Sequence, residues 1–253
     1  MNNLQLYTLH LADNALIMGH RNSEWTGHGP ILEQDIALSN IALDLIGQAR
    51  NFYQYAALLD NSGATEDSLA YLRDAHEFRN CLLAEQPNGH WGKTILRQFF
   101  FSTYQFYFYE QLQHSKDETL AAIAAKALKE VTYHVRWSAE WVIRLGDGTE
   151  ESHTRMQQAM DDLWKFTGEL LTPAPYETAL VNEGIAVDLT LLKPRWDEKV
   201  NAVLSEATLT DTTGNRQKAW MQTGGKEGRH TEHLGYILAE MQFLQRAYPG
   251  AEW

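Results

Sequence analysis

Residues 31–59 carry the clearest hydrophobic pattern in the chain. Apolar side chains recur there at alternating spacings of three and four residues, at Leu38, Ala42, Leu45, Ala49, Phe52, Ala56 and Leu59. Because an α-helix has 3.6 residues per turn, this spacing aligns them on one helix face that packs against other helices. No alternation of apolar and polar residues is sustained long enough to predict a sheet.

The distribution of proline and glycine extends the helical prediction to the rest of the chain. Between Gly92 and Gly146 lie 53 residues with neither, and within them Ser115 followed by Glu118 matches a capping box. This pattern predicts an antiparallel helical pair over 93–114 and 117–144. Further helices are predicted over 4–20, 66–85, 150–171, 175–181, 190–208 and 229–247.

Together these patterns predict an all-α fold. Four of the predicted helices contain 20 or more residues and would form a bundle core: 31–59, 66–85, 93–114 and 117–144. A chain of 253 residues can bury such a core without disulfides or a structural metal. We therefore expect a single helical domain over 1–253.

An aromatic segment at 99–109 holds 8 of the 28 aromatic side chains. A helix there would be aromatic on every side, so something has to cover each of its faces. One interpretation is a central helix of this chain. The other is a subunit interface, with the candidate contact residues Phe99, Phe100, Tyr104, Tyr107 and Phe108.

Charge and cysteine content narrow the class of protein. With 21 basic and 33 acidic residues, the net charge is −12, which opposes the continuous basic face that nucleic acids require. The longest stretches without a charged residue have 12 residues, against about 20 for a bilayer span, so no membrane segment is expected. No basic residue precedes the apolar stretch 4–11, so we expect no secretory signal. The lone cysteine, Cys81, suits the reducing cytoplasm.

Carboxylates and histidines on bundle helices raise the possibility of a di-iron centre. Such centres use a Glu from each of two helices and a Glu-x-x-His pair from each of two others. Glu-x-x-His occurs at Glu150/His153 and at Glu227/His230, and neither pair lies within a long predicted helix. Both pairs are therefore interpreted as helix starts, where acidic residues are common.

The long helices carry an incomplete set of metal ligands instead. Glu130 is followed at the third position by Tyr133 rather than by a histidine, although His134 comes next, and Asp74 and Glu77 have no histidine partner. The candidate positions, regarded as degenerate, are Asp44, Asp74, Glu77, Glu110, Glu130 and His134. A carboxylate-only metal site stays open, but a polar network neutralised by basic residues is the favoured interpretation.

A glycine-rich segment at 223–233 is the most unusual local sequence. It combines three glycines with Lys226, Arg229, His230 and His233 just before a predicted helix. Backbone N–H groups and positive charge could bind an anion such as a coenzyme A phosphate, with Lys226 and Arg229 as weak candidates. A loop that packs by close backbone approach is favoured over this, and zinc at the two histidines is a weaker option.

Several longer stretches resemble a known family over essentially the whole chain. The chain is similar to the ferritin-like subunits of bacterial ring-1,2-phenylacetyl-CoA epoxidases, the PaaA/PaaC family, and to their C-type members in particular. The stretches that carry the resemblance are GQARNF at 47–52, EQPNG at 85–89, TGGK at 223–226, HTEHLG at 230–235, LAEMQFLQR at 238–246 and the 249–253 ending.

The resemblance implies a ferritin-like bundle and a role in a multicomponent monooxygenase. In that family a homologous A subunit holds the di-iron centre, the complex also contains a B subunit and a reductase subunit, and the C-type member is non-catalytic and stabilises the A subunit. We therefore expect no catalytic residue and no cofactor in this chain. The alternatives are a di-metal carboxylate oxygenase in its own right and an acyl-CoA-binding module.

Overall fold

The chain forms helices in every regular segment that the structure describes. The structure is a computed structural model that describes residues 1–60, 62–211 and 221–251, so Trp253 lies outside the described residues. Eleven α-helices and four short 3₁₀ helices make up its regular structure, and no strand occurs within these ranges. The all-α prediction is confirmed.

The described residues divide into two compact units. The first unit comprises residues 1–87 together with the chain from Gly224 onwards. Its helices are α1 (Asn3–Ser23), α2 (Leu32–Leu59), α3 (Glu66–Tyr71), a 3₁₀ turn (Ala75–Glu77), α4 (Leu82–Glu85), a 3₁₀ turn (Gly225–Glu227), α10 (Glu232–Met241) and α11 (Phe243–Ala247).

The second unit comprises residues 88–223. Its helices are α5 (Trp91–Leu112), α6 (Glu118–Gly146), α7 (Glu150–Leu163), 3₁₀ turns at Trp164–Phe166 and Gly168–Leu171, α8 (Pro175–Glu183) and α9 (Leu189–Glu206). The expectation of a single domain over 1–253 stays a prediction.

Helix α2 packs on α1 through the face that the spacing predicts. Leu38, Ala42, Leu45, Ala49, Phe52 and Ala56 are buried, and Leu59 at the helix end is half-buried. The two helices are antiparallel, because Gly19 near the end of α1 lies against Leu45, while Asp13 bonds to Tyr53 further along α2. The predicted seam is therefore confirmed.

The predicted helix over 66–85 is wrong. The chain forms only α3, one 3₁₀ turn and the single turn of α4 there, and Phe78 and Cys81 are extended. The backbone N–H of Arg79 donates to the Asp13 carboxylate at 2.7 Å, and that of Cys81 donates to the Asn14 side-chain oxygen at 2.8 Å. These bonds to α1 replace the helical bonds that local propensity favours.

Other boundaries differ by smaller amounts. Helix α6 is capped by Asp117, whose carboxylate accepts from the Leu120 N–H at 2.9 Å, rather than by Ser115 as predicted. The Ser115 hydroxyl instead donates to the Ile185 carbonyl at 2.7 Å. The predicted helix over 150–171 ends in two 3₁₀ turns after Leu163, and that over 229–247 begins at Glu232 and breaks at Gln242.

Helix α5 is the aromatic centre of the second unit. Phe100 packs against Trp164 and Trp196 with ring centroids 5.8 and 5.9 Å apart, and the Trp196 indole N–H donates to the Phe100 carbonyl at 3.1 Å. Phe99, Phe100, Tyr104 and Phe108 are buried. These four side chains thus belong to the interior of this unit, and Tyr107 is half-buried; the interpretation of the five residues as a subunit interface stays a prediction.

A buried ionic cluster joins α1, α2 and the segment after α3. Asp13 and Arg73 form an ion pair with no more than 6 % of either side chain exposed, and the Tyr53 hydroxyl donates to the same carboxylate at 2.5 Å. Burial, and then the charge of Asp13, raises the pKa of Tyr53 well above its usual value, so the phenol stays protonated and keeps donating. With Arg79 N–H as a further donor, the Asp13 carboxylate is fully hydrogen-bonded.

Replacing Arg73 by methionine is expected to cost about 3–5 kcal/mol of unfolding free energy, because Asp13 would remain buried without its counterion. Urea denaturation followed by circular dichroism measures this change. The control is Arg50→Met, which removes an exposed ion pair with Glu66 and should cost less than about 1 kcal/mol. Equal losses in the two variants would contradict the importance of the buried pair.

Candidate functional site

Two of the three degenerate ligand positions in the first unit, Asp74 and Glu77, make contacts within this chain. Asp74 is exposed, and its carboxylate pairs with Arg246 of α11 at 2.9 Å. The Glu77 carboxylate accepts from the Asp74 backbone N–H at 2.7 Å, which completes a capping box around the 3₁₀ turn. Asp44 is half-buried on α2. Asp74 and Glu77 thus bind Arg246 and the backbone of the 3₁₀ turn, respectively, and do not converge on a shared position.

The positions of the second unit are similarly occupied. Glu110 of α5 forms an ion pair with Arg195 of α9, whose guanidinium also lies 4.4 Å from the Tyr107 ring centroid. Glu130 is half-buried on α6, and His134 is fully buried one turn further along. The prediction of a polar network with basic partners agrees with the contacts of Glu110.

Binding of a metal ion requires several ligating side chains to converge. Within residues 1–60, 62–211 and 221–251, no group of three or more His, Cys, Asp or Glu side chains converges in a way that could hold a metal ion. Of the Glu-x-x-His pairs, Glu150 and His153 lie in the first turn of α7, as predicted, and His153 bonds to the Gly146 carbonyl at 2.8 Å. Glu227 and His230 instead lie before α10.

The glycine-rich segment is a packed loop. Lys226 is only 4 % exposed, and Arg229 pairs with its neighbour Glu227 at 2.6 Å. A Cβ atom on Gly225 would lie 2.2 Å from the Asn80 carbonyl oxygen, and Gly228 has a φ of +84°. The close backbone approach favoured from the sequence describes this loop, whereas the anion-binding role of Lys226 and Arg229 stays a prediction.

Replacing Gly225 by alanine tests this packing. The added methyl group would collide with the backbone of Asn80, so we expect a loss of about 1–3 kcal/mol in unfolding free energy, measured by urea denaturation. Gly235→Ala is the matched control, because nothing lies within 4 Å of its added Cβ on α10. That control should be neutral or slightly stabilising, and a neutral Gly225→Ala would contradict the close approach.

The centre of this region is a buried carboxylate that the sequence did not reveal. Glu85 is fully buried and accepts from the Thr231 N–H and hydroxyl at 2.6 and 2.7 Å, and from Asn80 at 2.9 Å. The two Thr231 groups contact Glu85 Oε1, whereas Asn80 contacts Oε2. His230 Nδ1 lies 2.8 Å from that same Oε2 atom. Glu85 directly follows the apolar residues 81–84. An acidic residue at the end of such a run is the one sequence feature that could have indicated a buried carboxylate.

The contacts of His230 favour a doubly protonated ring. Its Nε2 lies 3.0 Å from the Phe78 carbonyl, which can only accept, and its Nδ1 faces the Glu85 carboxylate. Burial alone would lower the pKa of His230, but the hydrogen bond and charge of Glu85 outweigh it, and the pKa is raised. Both ring nitrogens therefore have partners within this chain, and zinc at His230 and His233 stays a prediction.

The raised pKa of His230 predicts a pH-dependent stability. A histidine whose pKa is raised on folding stabilises the folded state fully when the pH is below its unfolded-state pKa, near 6.5. This stabilisation is lost as the pH rises through the folded-state pKa. We therefore expect the difference in unfolding free energy between the unmodified chain and His230→Gln to fall as the pH rises from the unfolded-state pKa through the folded-state pKa. His233→Gln is the control and should follow the unmodified chain, while parallel curves for all three would contradict the charged ring.

With this geometry in place, the chain can be compared with known proteins. The family model described as phenylacetic acid catabolic protein matches residues 1–253. The chain belongs to this family. It is also 51 % identical over 253 residues to the C subunit of the 1,2-phenylacetyl-CoA epoxidase of Escherichia coli (strain K12), with full coverage of both chains.

The family assignment confirms the resemblance drawn from the sequence. Two of the stretches that carry it, at 85–89 and 230–235, contribute Glu85, His230 and Thr231 to the same buried cluster. A third, at 47–52, lies on α2. No helix among residues 1–60, 62–211 and 221–251 has the length and apolar content of a membrane span.

Proposed function

We propose that this chain is a non-catalytic structural subunit of a cytoplasmic, multicomponent phenylacetyl-CoA epoxidase. In this proposal it binds a homologous A subunit that holds the di-iron centre, keeps that subunit folded, and works beside a B subunit and a reductase subunit. Its similarity to a relative named as the C subunit of such an epoxidase supports membership of a complex.

The observation that carries a structural role is an apolar face of α2 that the chain leaves uncovered. We call it the α2 outer face: Leu32, Ile36, Leu43, Ile46 and Leu58. Leu32, Leu43 and Leu58 are 71, 66 and 82 % exposed, and the spacings place the five residues on one side of the helix, with Ile46 at the edge where it also contacts Gly19 of α1. Several large apolar side chains exposed on one helix face are characteristic of protein interfaces.

The charge of the chain favours a different subunit over a second copy. A second copy would bring another net charge of −12, and like net charges oppose association at long range. A different subunit is free of that constraint. Helix α2 is also 28 residues long, about 42 Å, which offers a long contact surface to another helical subunit.

The contacts of the ligand-like residues support a non-catalytic role. Glu110 pairs with Arg195 and Asp74 with Arg246, so a metal would have to displace a guanidinium at each position. The alternative of a di-metal oxygenase in its own right lacks a converging donor set among the described residues. The acyl-CoA alternative depends on Lys226, which is almost fully buried, and on Arg229, which is exposed and pairs with Glu227.

The structural role predicts that a charge on the α2 outer face separates the complex. We expect Leu43→Glu to abolish co-purification with the tagged A subunit after co-expression, and to lower the yield of soluble A subunit. Leu191→Glu on α9 is the matched control, because Leu191 is similarly exposed at 63 % but lies in the other unit, and it should leave the yield unchanged.

Two outcomes would overturn the proposal. An A subunit that is soluble and fully active without this chain would remove the stabilising role. Two irons per purified chain, with an absorbance band that changes on exposure to O₂, would instead support the catalytic alternative. Circular dichroism of the isolated Leu43→Glu chain should match the unmodified spectrum, which separates loss of binding from loss of folding.

A further inference from the structure

An exposed glycine lies in the middle of α2. Gly47 is the sixteenth of the 28 residues of this helix, and its position is open to solvent. Glycine is a poor residue for a helix interior, because it loses more backbone freedom on folding than any other residue. A Cβ atom added to Gly47 would meet no atom within 4 Å, so no contact within the described part of this chain requires a glycine there.

A second glycine inside a helix shows what such a residue does in this fold. Among the described glycines, only Gly19 and Gly47 lie four or more residues from both ends of an α-helix. A Cβ atom on Gly19 would lie 3.1 Å from the Ile46 side chain and 3.3 Å from the Ala42 carbonyl oxygen. Gly19 thus allows α1 and α2 to approach closely. Gly47 offers the same opportunity on the opposite side of α2, where this chain places no helix.

Gly47 lies at the centre of the α2 outer face. At about 100° of rotation per residue, Leu43 is about 40° from Gly47 around the helix, and Ile36 and Leu58 are only about 20° away. Ile36 and Leu58 each lie 11 residues from Gly47, which is about 16 Å along the helix axis on either side. The exposed apolar side chains therefore surround a position that has no side chain.

The positions of Ile36 and Leu58 restrict the angle at which a second helix could cross α2. A helix that crosses over Gly47 at about 20° is displaced sideways by about 6 Å at the level of either residue, less than its own diameter of about 10–12 Å. One that crosses at about 50° is displaced by about 20 Å and leaves both side chains uncovered. Because Ile36 and Leu58 are 51 and 82 % exposed in this chain, the shallow crossing is favoured.

The charges beside Gly47 favour a helix from a different subunit over one from a second copy. Glu33 and Asp44 lie on one edge of the α2 outer face, about 40° and 60° around the helix from Gly47. Arg50, on the other edge, is the only basic residue of α2 and is already paired with Glu66 at 3.0 Å. The α2 helix of a second copy would therefore bring further acidic residues and no unpaired cation, whereas a different subunit can supply basic side chains.

We propose that a helix of a different subunit crosses α2 at Gly47 at a shallow angle, with its backbone in van der Waals contact with that residue. Its apolar side chains would cover Leu43, Ile36 and Leu58, and basic side chains on one edge would lie beside Glu33 and Asp44. The inference rests on the structural role proposed above, and it adds the point, the angle and the chemistry of the contact.

Competition during assembly tests the proposal. The tagged A subunit is co-expressed with equal amounts of the unmodified chain and one variant, and mass spectrometry compares their ratio in the purified complex with that in the soluble lysate. We expect Gly47→Leu to be incorporated at least about tenfold less than the unmodified chain, and Gly47→Ala to be reduced by a smaller factor, because each added side chain holds the crossing helix away. Gly235→Leu on α10 is the matched control, since Gly235 is also exposed with nothing within 4 Å of an added Cβ, and it should be incorporated within about twofold.

Leu43→Glu in the same competition distinguishes this inference from the structural role. Exclusion of Leu43→Glu and Gly47→Leu, with Gly235→Leu retained, supports the crossing at Gly47. If Leu43→Glu is excluded and Gly47→Leu is incorporated like the unmodified chain, the structural role stands and the crossing point is wrong. Equal incorporation of all variants would overturn both, and equal losses for Gly47→Leu and Gly235→Leu would overturn the crossing point.

The isolated chain provides the controls for folding and self-association. Gly47→Ala should raise its urea midpoint, because alanine favours the helix and its Cβ meets nothing in this chain. A lowered midpoint would show that the chain itself requires the glycine and would overturn the proposal. Size-exclusion chromatography addresses a second copy, because an unmodified dimer that Gly47→Leu converts to a monomer would overturn the assignment to a different subunit.

Discussion

The first unit depends on two buried carboxylates that must be neutralised and hydrogen-bonded where they lie. Asp13 on α1 is held by Arg73, Tyr53 and the Arg79 N–H, and Glu85 at the end of α4 is held by His230, Thr231 and Asn80. A buried charge costs several kcal/mol unless it is paired, so every segment that supplies a donor has to be in place. The irregular backbone over 72–81 follows from this requirement.

The same requirement ties distant parts of the sequence together. His230 and Thr231 reach Glu85 across about 145 residues of intervening chain, and Gly225 and Gly228 allow that loop to lie directly on the backbone around residues 76–80. The glycines, the histidine and the threonine are therefore explained by packing and charge neutralisation. This accounts for an unusual sequence without assigning it a ligand.

The second unit has a different physical basis. Its interior is aromatic, with Phe99, Phe100 and Phe108 buried along α5 and with Trp164 and Trp196 against Phe100. Glu110 is paired with Arg195 nearer the surface, and the unit's buried carboxylates, Glu169 and Glu177, lie on the short segments after α7. Apolar surface that the chain does not cover is found instead on α2 of the first unit, where Leu43 and Leu58 face outward. That surface, and not the aromatic helix, is where we place the partner in our proposal.

The sequence by itself determined the helical class, the position of α2 and its buried seam, the α5–α6 pair, and the family. These follow from local periodicity, from capping and from long shared stretches, which depend on neighbours in the chain. It did not determine the break over 66–85, the burial of the aromatic run, the partner of Glu85 or the open space beside Gly47. Those were decided by tertiary structure, because a carboxylate or a hydroxyl at a given position bonds to whatever group the fold brings to it, and spacing along the chain does not specify that group.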